Sequence, residues 1–225
     1  MCSYVYLLAL LLLSGCGGFR GGIESVPYVG DIKPQQTSTH QPHEITLPGL
    51  TFHLSLNNTV HTYQYEVMLF IIPIYLNFWD EFQHRDAESL ELTLQITAHD
   101  SDVTIDPRQL VLTVDGKEFS TSAVWVNNLE RERQVIDAYV KARFQSQTNH
   151  PPSVPRSSEW RDAVTTSVTL LPGEQSPRFI VQFPVPLPSP TSMLSLEINQ
   201  ALINFSHSPL PVIQFKSLPW AEGYS

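Results

Sequence analysis

From Leu50 onward, apolar and polar residues alternate with a period of two, the signature of half-buried strands. LTFHLSL sets Leu50, Phe52, Leu54 and Leu56 on one face and Thr51, His53 and Ser55 on the other, and Asn57-Asn58 then turns the chain. SLELTLQITA repeats the design, with Leu90, Leu92, Leu94 and Ile96 facing in and Glu91, Thr93, Gln95 and Thr97 facing out. Clean alternation of this kind predicts one buried and one solvated sheet face. QLVLTV runs into Asp115-Gly116, which predicts a tight hairpin because glycine takes positive φ without steric cost. Further strands are predicted at Val164–Leu171, Arg178–Phe183, Met193–Phe205 and Val212–Phe215. Short strands, prolines at their ends and no alternation of strand with helix predict a mainly β fold. The expected form is an antiparallel β-sandwich, immunoglobulin-like in general architecture, with one helical insertion.

Three segments depart from the alternating pattern. YEVMLFIIPIYLNFW, ending at Trp79, is apolar on both parities, which fits one strand buried on both faces or bent at a bulge. Pro73 cannot donate a ladder hydrogen bond, so the half after it belongs at an edge or outside the sheet. Tyr75, Phe78 and Trp79 then read either as core or as an exposed aromatic lip for a partner or lipid. NNLERERQVIDAYVKARFQSQ brings Leu129, Ile136, Val140 and Phe144 near one helical face. It offers Asn127 or Asn128 as an N-cap and carries Lys141 and Arg143 near its end, so a helix is expected from about Leu129 to Phe144. The proline-rich loop that follows ends at Trp160. Helix and loop together read as an insertion at about 127–160, either a partner-binding element that includes Trp160 or a cap on an open end of the sheets. PVPLPSP, from Pro184 to Pro190, suits an extended crossing or an edge.

At the other end of the chain, YVYLLALLLL from Tyr4 to Leu13 is about ten apolar residues, half of the roughly twenty that a membrane-spanning helix needs. That length suits the apolar region of a signal peptide, followed by the small residues Ser14 and Gly15. Leu13-Ser14-Gly15-Cys16 resembles the lipobox of bacterial lipoprotein precursors. The resemblance implies cleavage after Gly15 and lipid attachment at Cys16, leaving a protein of the bacterial cell envelope held to the membrane by acyl chains. Gly17, standing where an Asp would favour inner-membrane retention, favours the outer membrane on the same resemblance. Residues 1–15 are thus expected to be signal peptide. Residues 16–49, rich in Gly, Pro, Gln, Ser and Thr, are expected to form a lipidated cysteine and a flexible tether with a reach of roughly 30 Å. A lead-in strand around Val26 to Val29 is the alternative. The folded domain is expected over 50–218 and a tail over 219–225.

Composition narrows the chemistry. The chain has 13 basic and 22 acidic residues, a formal charge of −9, which argues against a nucleic-acid partner. Its two cysteines are Cys2, inside the expected signal, and Cys16, so the expected mature body has no thiol for catalysis, a disulfide or a thiolate metal site. Asp100, Asp102 and Asp106 cluster oxygen ligands near His99, but without the glycine and distant Glu of a calcium loop. His40 and His43 have a metal-like separation in the expected tether. Asp80, Glu81, His84 and Asp86 read best as a charged loop after a strand. No nucleophile elbow, phosphate loop, zinc-protease helix or dinucleotide fingerprint is present. No catalytic residue, metal or cofactor is therefore assigned. The expected role is non-enzymatic, binding or bracing an envelope protein; the rival is a hydrolase or metal-dependent enzyme assembled from Asp100, Asp102, His84 and His99.

Overall fold

The computed structural model describes residues 17–30, 42–68, 72–84, 89–145, 159–207 and 209–224. In chain order the strands are β1 (Gly17–Tyr28), β2 (His43–Leu47), β3 (Leu50–Leu56), β4 (Val60–Met68), β5 (Ile72–His84), β6 (Leu90–Ala98), β7 (Val103–Ile105) and β8 (Val111–Val114). They continue with β9 (Lys117–Ser120), β10 (Ala123–Asn127), β11 (Arg161–Ala163), β12 (Val168–Leu170), β13 (Phe179–Phe183), β14 (Leu194–Glu197), β15 (Leu202–Ile203) and β16 (Ile213–Tyr224). The α-helix among the described residues, α1 (Leu129–Gln145), lies between β10 and β11. Among the described residues all strand pairings are antiparallel, and the protein is mainly β. Sheet I has the order β5-β4-β1-β16-β14-β8-β9, sheet II the order β11-β10-β13-β6-β3-β2, and the small sheet III the order β12-β7-β15.

The alternation read from the sequence is realised most fully in β6, where every second residue from Leu90 to Ala98 is buried. One continuous apolar cluster takes Leu54, Leu94 and Phe179 from sheet II, Leu112, Leu196 and Ile213 from sheet I, and Ile105 and Leu170 from sheet III. Each such side chain removed from water contributes about 2 kcal/mol against chain entropy. Asp115 and Gly116, both at positive φ (50° and 82°), close β8 onto β9 as a two-residue turn, as expected from the sequence. Short segments carry the chain between the large sheets. Asn57 ends β3 with its side chain fixed between Ser89 O (3.0 Å) and Glu91 N (2.8 Å), after which β4 begins in sheet I. The proline-alternating run 184–190 crosses from β13 in sheet II to β14 in sheet I, the extended crossing its spacing predicts.

Residues 17–28 overturn part of the expected tether. They form β1, an inner strand of sheet I paired along its length with β16 and over its first half with β4. Glycines disfavour a strand in isolation; here the order comes from neighbours on both sides, which local composition does not encode. The middle of β1 is enclosed: Glu24, Ser25 and Val26 are buried, and Asn58 Nδ2 donates to Ser25 Oγ at 2.9 Å. His43, also expected in the tether, opens β2 and stands with Nε2 3.6 Å from Glu24 Oε1. Residues 219–224, expected as a tail, are the second half of β16. Finally, the apolar stretch around Pro73 is two strands of a hairpin, β4 and β5, where one buried strand was expected. Asp80 to His84, expected as a loop, continue β5. The alternative of a bulge holds, since the β4–β5 register shifts between Glu66 and Val67, and β5 is the outer strand of sheet I, as Pro73 predicts.

Candidate functional site

Of the expected partner-binding elements, the insertion is the better defined. It leaves sheet II at Asn127 and returns at Arg161, two residues paired across β10 and β11. Asn128 caps α1 by accepting from Arg131 N at 3.0 Å, and its own N–H donates to Trp160 O at 2.8 Å. The carboxylate of Asp162 accepts from Asn128 Nδ2 (3.0 Å) and Arg131 Nη1 (2.8 Å). These partners, the Asn128 hydrogen bond first, hold its carboxyl below the ordinary carboxylate range against the opposing cost of desolvation. Beside this clamp, Arg161 reaches along the sheet to both Glu91 oxygens (2.8 and 3.0 Å) and lies 5.5 Å from the Trp125 ring centroid. A bidentate guanidinium stacked on an indole has little freedom, so the root of the insertion is stiff.

The helix raised on that root keeps its apolar stripe in solvent. Leu129, Ile136 and Val140 are 65%, 43% and 41% exposed, and their spacing of seven and four places them along one side of α1. A helix capping the sheets would bury that stripe. Trp160 is half-buried at the return of the insertion.

Tyr75, Phe78 and Trp79 lie on β5 in sheet I, with Tyr75 opposite Glu66 and Phe78 opposite Tyr63. Their backbone is thus in a different sheet from β11, the strand that Trp160 precedes. Cys16 lies outside the described residues; Gly17, the next residue, starts β1 opposite Val67. Further along β1, sheet I is shaped by close backbone approach. A Cβ on Gly22 would stand 1.8 Å from Val60 O and one on Gly21 2.4 Å from the Tyr63 ring, at the point where the β1–β4 register shifts. Trp220 is buried edge-on to His61, with ring centroids 5.1 Å apart, and Arg20 forms an ion pair with Glu222.

Of the residues an enzyme would have to gather, His99, Asp100 and Asp102 share the turn between β6 and β7, whereas His84 is on β5. His99 Nε2 is 2.8 Å from Thr51 Oγ1, and Asp100 faces His207 at 3.9 Å. Asp106 caps a 3₁₀ turn at Pro107–Gln109 and grips Arg108 through both oxygens (2.7 and 2.8 Å), which holds its carboxyl low. His84 is opposite Val60, beyond the far end of β3 from His99, whose N–H bonds Gly49 O. That is a separation on the order of 20 Å for a strand of this length. His40 and Asp86 lie outside the described residues. Among the described residues no three His, Cys, Asp or Glu side chains converge to hold a metal. A groove of about 350 Å³ on sheet I, between Tyr28, Met193 and Gln214, has no carboxylate, imidazole or amine in its lining.

The sequence reading missed the Arg161–Glu91–Trp125 cluster. Its ion pair joins residues 70 positions apart, and only the placement of Glu91 on an outward face hinted at it. Compared with known protein families, curated proteins and solved structures, the chain gives no match.

Proposed function

We propose that the chain is a bacterial lipoprotein, cleaved after Gly15 and held in the cell envelope, by preference at the outer membrane, through acyl chains on Cys16. Its folded part is read as a β-sandwich of immunoglobulin-like general architecture, a form favoured by the single apolar cluster shared between sheets I and II. Its role is non-enzymatic: it binds or braces another envelope protein.

The observation that carries the binding role is the exposed stripe of α1 on a clamped root. An apolar helix face in solvent is stabilised by a partner that covers it, and the fixed root keeps the ordering entropy lost on binding small. Of the Asp and His side chains an enzyme would have to gather, His99 is bonded to Thr51, Asp100 faces His207, and His84 stands on another sheet, which disfavours the hydrolase reading.

Two measurements test the proposal. Radiolabelled palmitate is expected to label the wild-type chain and not Cys16→Ser; equal labelling removes the anchor. Photo-crosslinking from position 136 in intact cells is expected to give one discrete protein adduct that Val140→Glu abolishes. Absence of any adduct from positions 129, 136 and 140 removes the partner from α1.

A further inference from the structure

We infer that the end of sheet I where β1 begins rests in the headgroup layer of the membrane, so that the protein is held there by its own strands as well as by lipid. The inference rests on the reading of Cys16 as the anchored residue.

Position is the first argument. Cys16 immediately precedes β1, and one residue spans only about 3.8 Å between Cα atoms. An acyl-bearing sulfur at the headgroup boundary therefore carries Gly17 to the same depth. Sheet register then brings other strands along: Gly17 lies opposite Val67, Val67 opposite Pro73, Met68 opposite Ile72, and Gly18 opposite Tyr224. Without a tether, the anchor cannot approach the bilayer and leave these positions behind.

Chemistry is the second. The register positions at this end are Val67 and Met68 on β4, Ile72 and Pro73 on β5, and Tyr224 closing β16. On β1, Phe19 stands 47% exposed. Apolar strand ends bordered by aromatic residues match the boundary between acyl chains and headgroups, where amphipathic rings accumulate. The connection 69–71 lies outside the described residues and forms no part of the site.

Charge sets the depth. Glu66 is opposite Gly18, one step from the end, and the Arg20–Glu222 ion pair begins about 10 Å from it. Ionised groups resist entry into hydrocarbon, so the seat is shallow and the sheet stands on the bilayer without crossing it. Far along the same sheet, Pro27 lies opposite Phe215, which pairs with Leu194 and through it with Val114. The β8–β9 turn is thus on the order of 30 Å from the membrane.

The test uses the full chain, expressed in a bacterium and reconstituted into vesicles of phosphatidylethanolamine and phosphatidylglycerol. A fluorescent coumarin amino acid replaces Met68, Tyr224 or Lys117 in separate preparations, and a nitroxide on the lipid headgroup serves as quencher. Positions 68 and 224, on different strands, are expected to be quenched several-fold more than 117, and either one suffices if the other variant misfolds. Equal quenching at all three overturns the inference. Intact mass of the same sample reads Cys16 independently. Acylated cysteine without selective quenching sinks the seat and leaves the anchor; selective quenching on unacylated protein sinks the anchor and leaves the seat. In isolated envelopes, position 68 shielded from aqueous iodide yet untouched by lipid nitroxide would assign this end to a protein and overturn the lipid assignment.

Discussion

The centre of sheet II and the β1 end of sheet I are both antiparallel β-structure, yet their order has different origins. In β3, β6 and β13 the inward side chains are nearly all fully buried, and the outward ones, apart from the buried Ile180, are polar. Each strand there announces its own face. At the β1 end, definition comes from what is missing, two glycines that let β4 approach, and from contacts between distant segments such as Arg20 with Glu222. Where side chains fill space, a strand is specified locally. Where their absence makes space, only the partner specifies it.

The contrast can be broken most forcefully at the centre. Leu94→Ala removes a fully buried side chain between Leu54 and Phe179 and is expected to lower unfolding stability by about 3–4 kcal/mol, read from urea denaturation. Loss below about 1 kcal/mol would mean that the core closes over the cavity. Gly22→Val forces a side chain into the Val60 carbonyl and is expected to cost about 2 kcal/mol. Its distinguishing result is spatial: amide exchange should accelerate over 17–23 while β6 stays protected. Uniform acceleration would show that the two regions unfold as one.

Smaller effects sharpen the picture at the insertion. Arg161→Ala leaves the Glu91 carboxylate, 24% exposed, without its bidentate partner and is expected to cost about 1–2 kcal/mol, with Trp125 fluorescence shifting as its ring loses the stacked guanidinium. Asp162 supplies a pH dependence. Its folded pKa lies below the unfolded one, so its stabilisation is complete above the unfolded value and disappears as pH falls through the folded value. Amides at the start of α1 should therefore exchange faster below about pH 4, and Asp162→Asn should flatten that response. Least of all, Ile136→Ser is expected to change stability by under about 0.5 kcal/mol, because the side chain is already in solvent. A larger loss would show that α1 leans on the body.

What the sequence disclosed follows the same division. Strands β3 and β6, the Asp115-Gly116 turn and α1 with its Asn128 cap were legible because period, turn chemistry and capping act over a few residues. Pro73 likewise marked β5 as an edge through a missing N–H. The hairpin between β4 and β5 was hidden, since residues apolar on both parities give no sign of a break between Met68 and Ile72. β1 was mistaken for tether because its glycines look flexible until β4 and β16 flank them. The site divides in the same way. The stripe on α1 was visible as helical spacing, but nothing local disclosed that it faces solvent or that Arg161 and Asp162 fix its base.

The pairing of β1 with β16 also bears on how the molecule is made. Arg20 and Glu222 meet across 202 positions of chain. β1 is made well before β16 and has one of its two edges unsatisfied until β16 arrives. Such distant pairing forms slowly and leaves open backbone exposed in the interval. Completion of sheet I is therefore a late event, and a chaperone that shields the early strand should raise the yield of correctly assembled protein more than one acting on the helix.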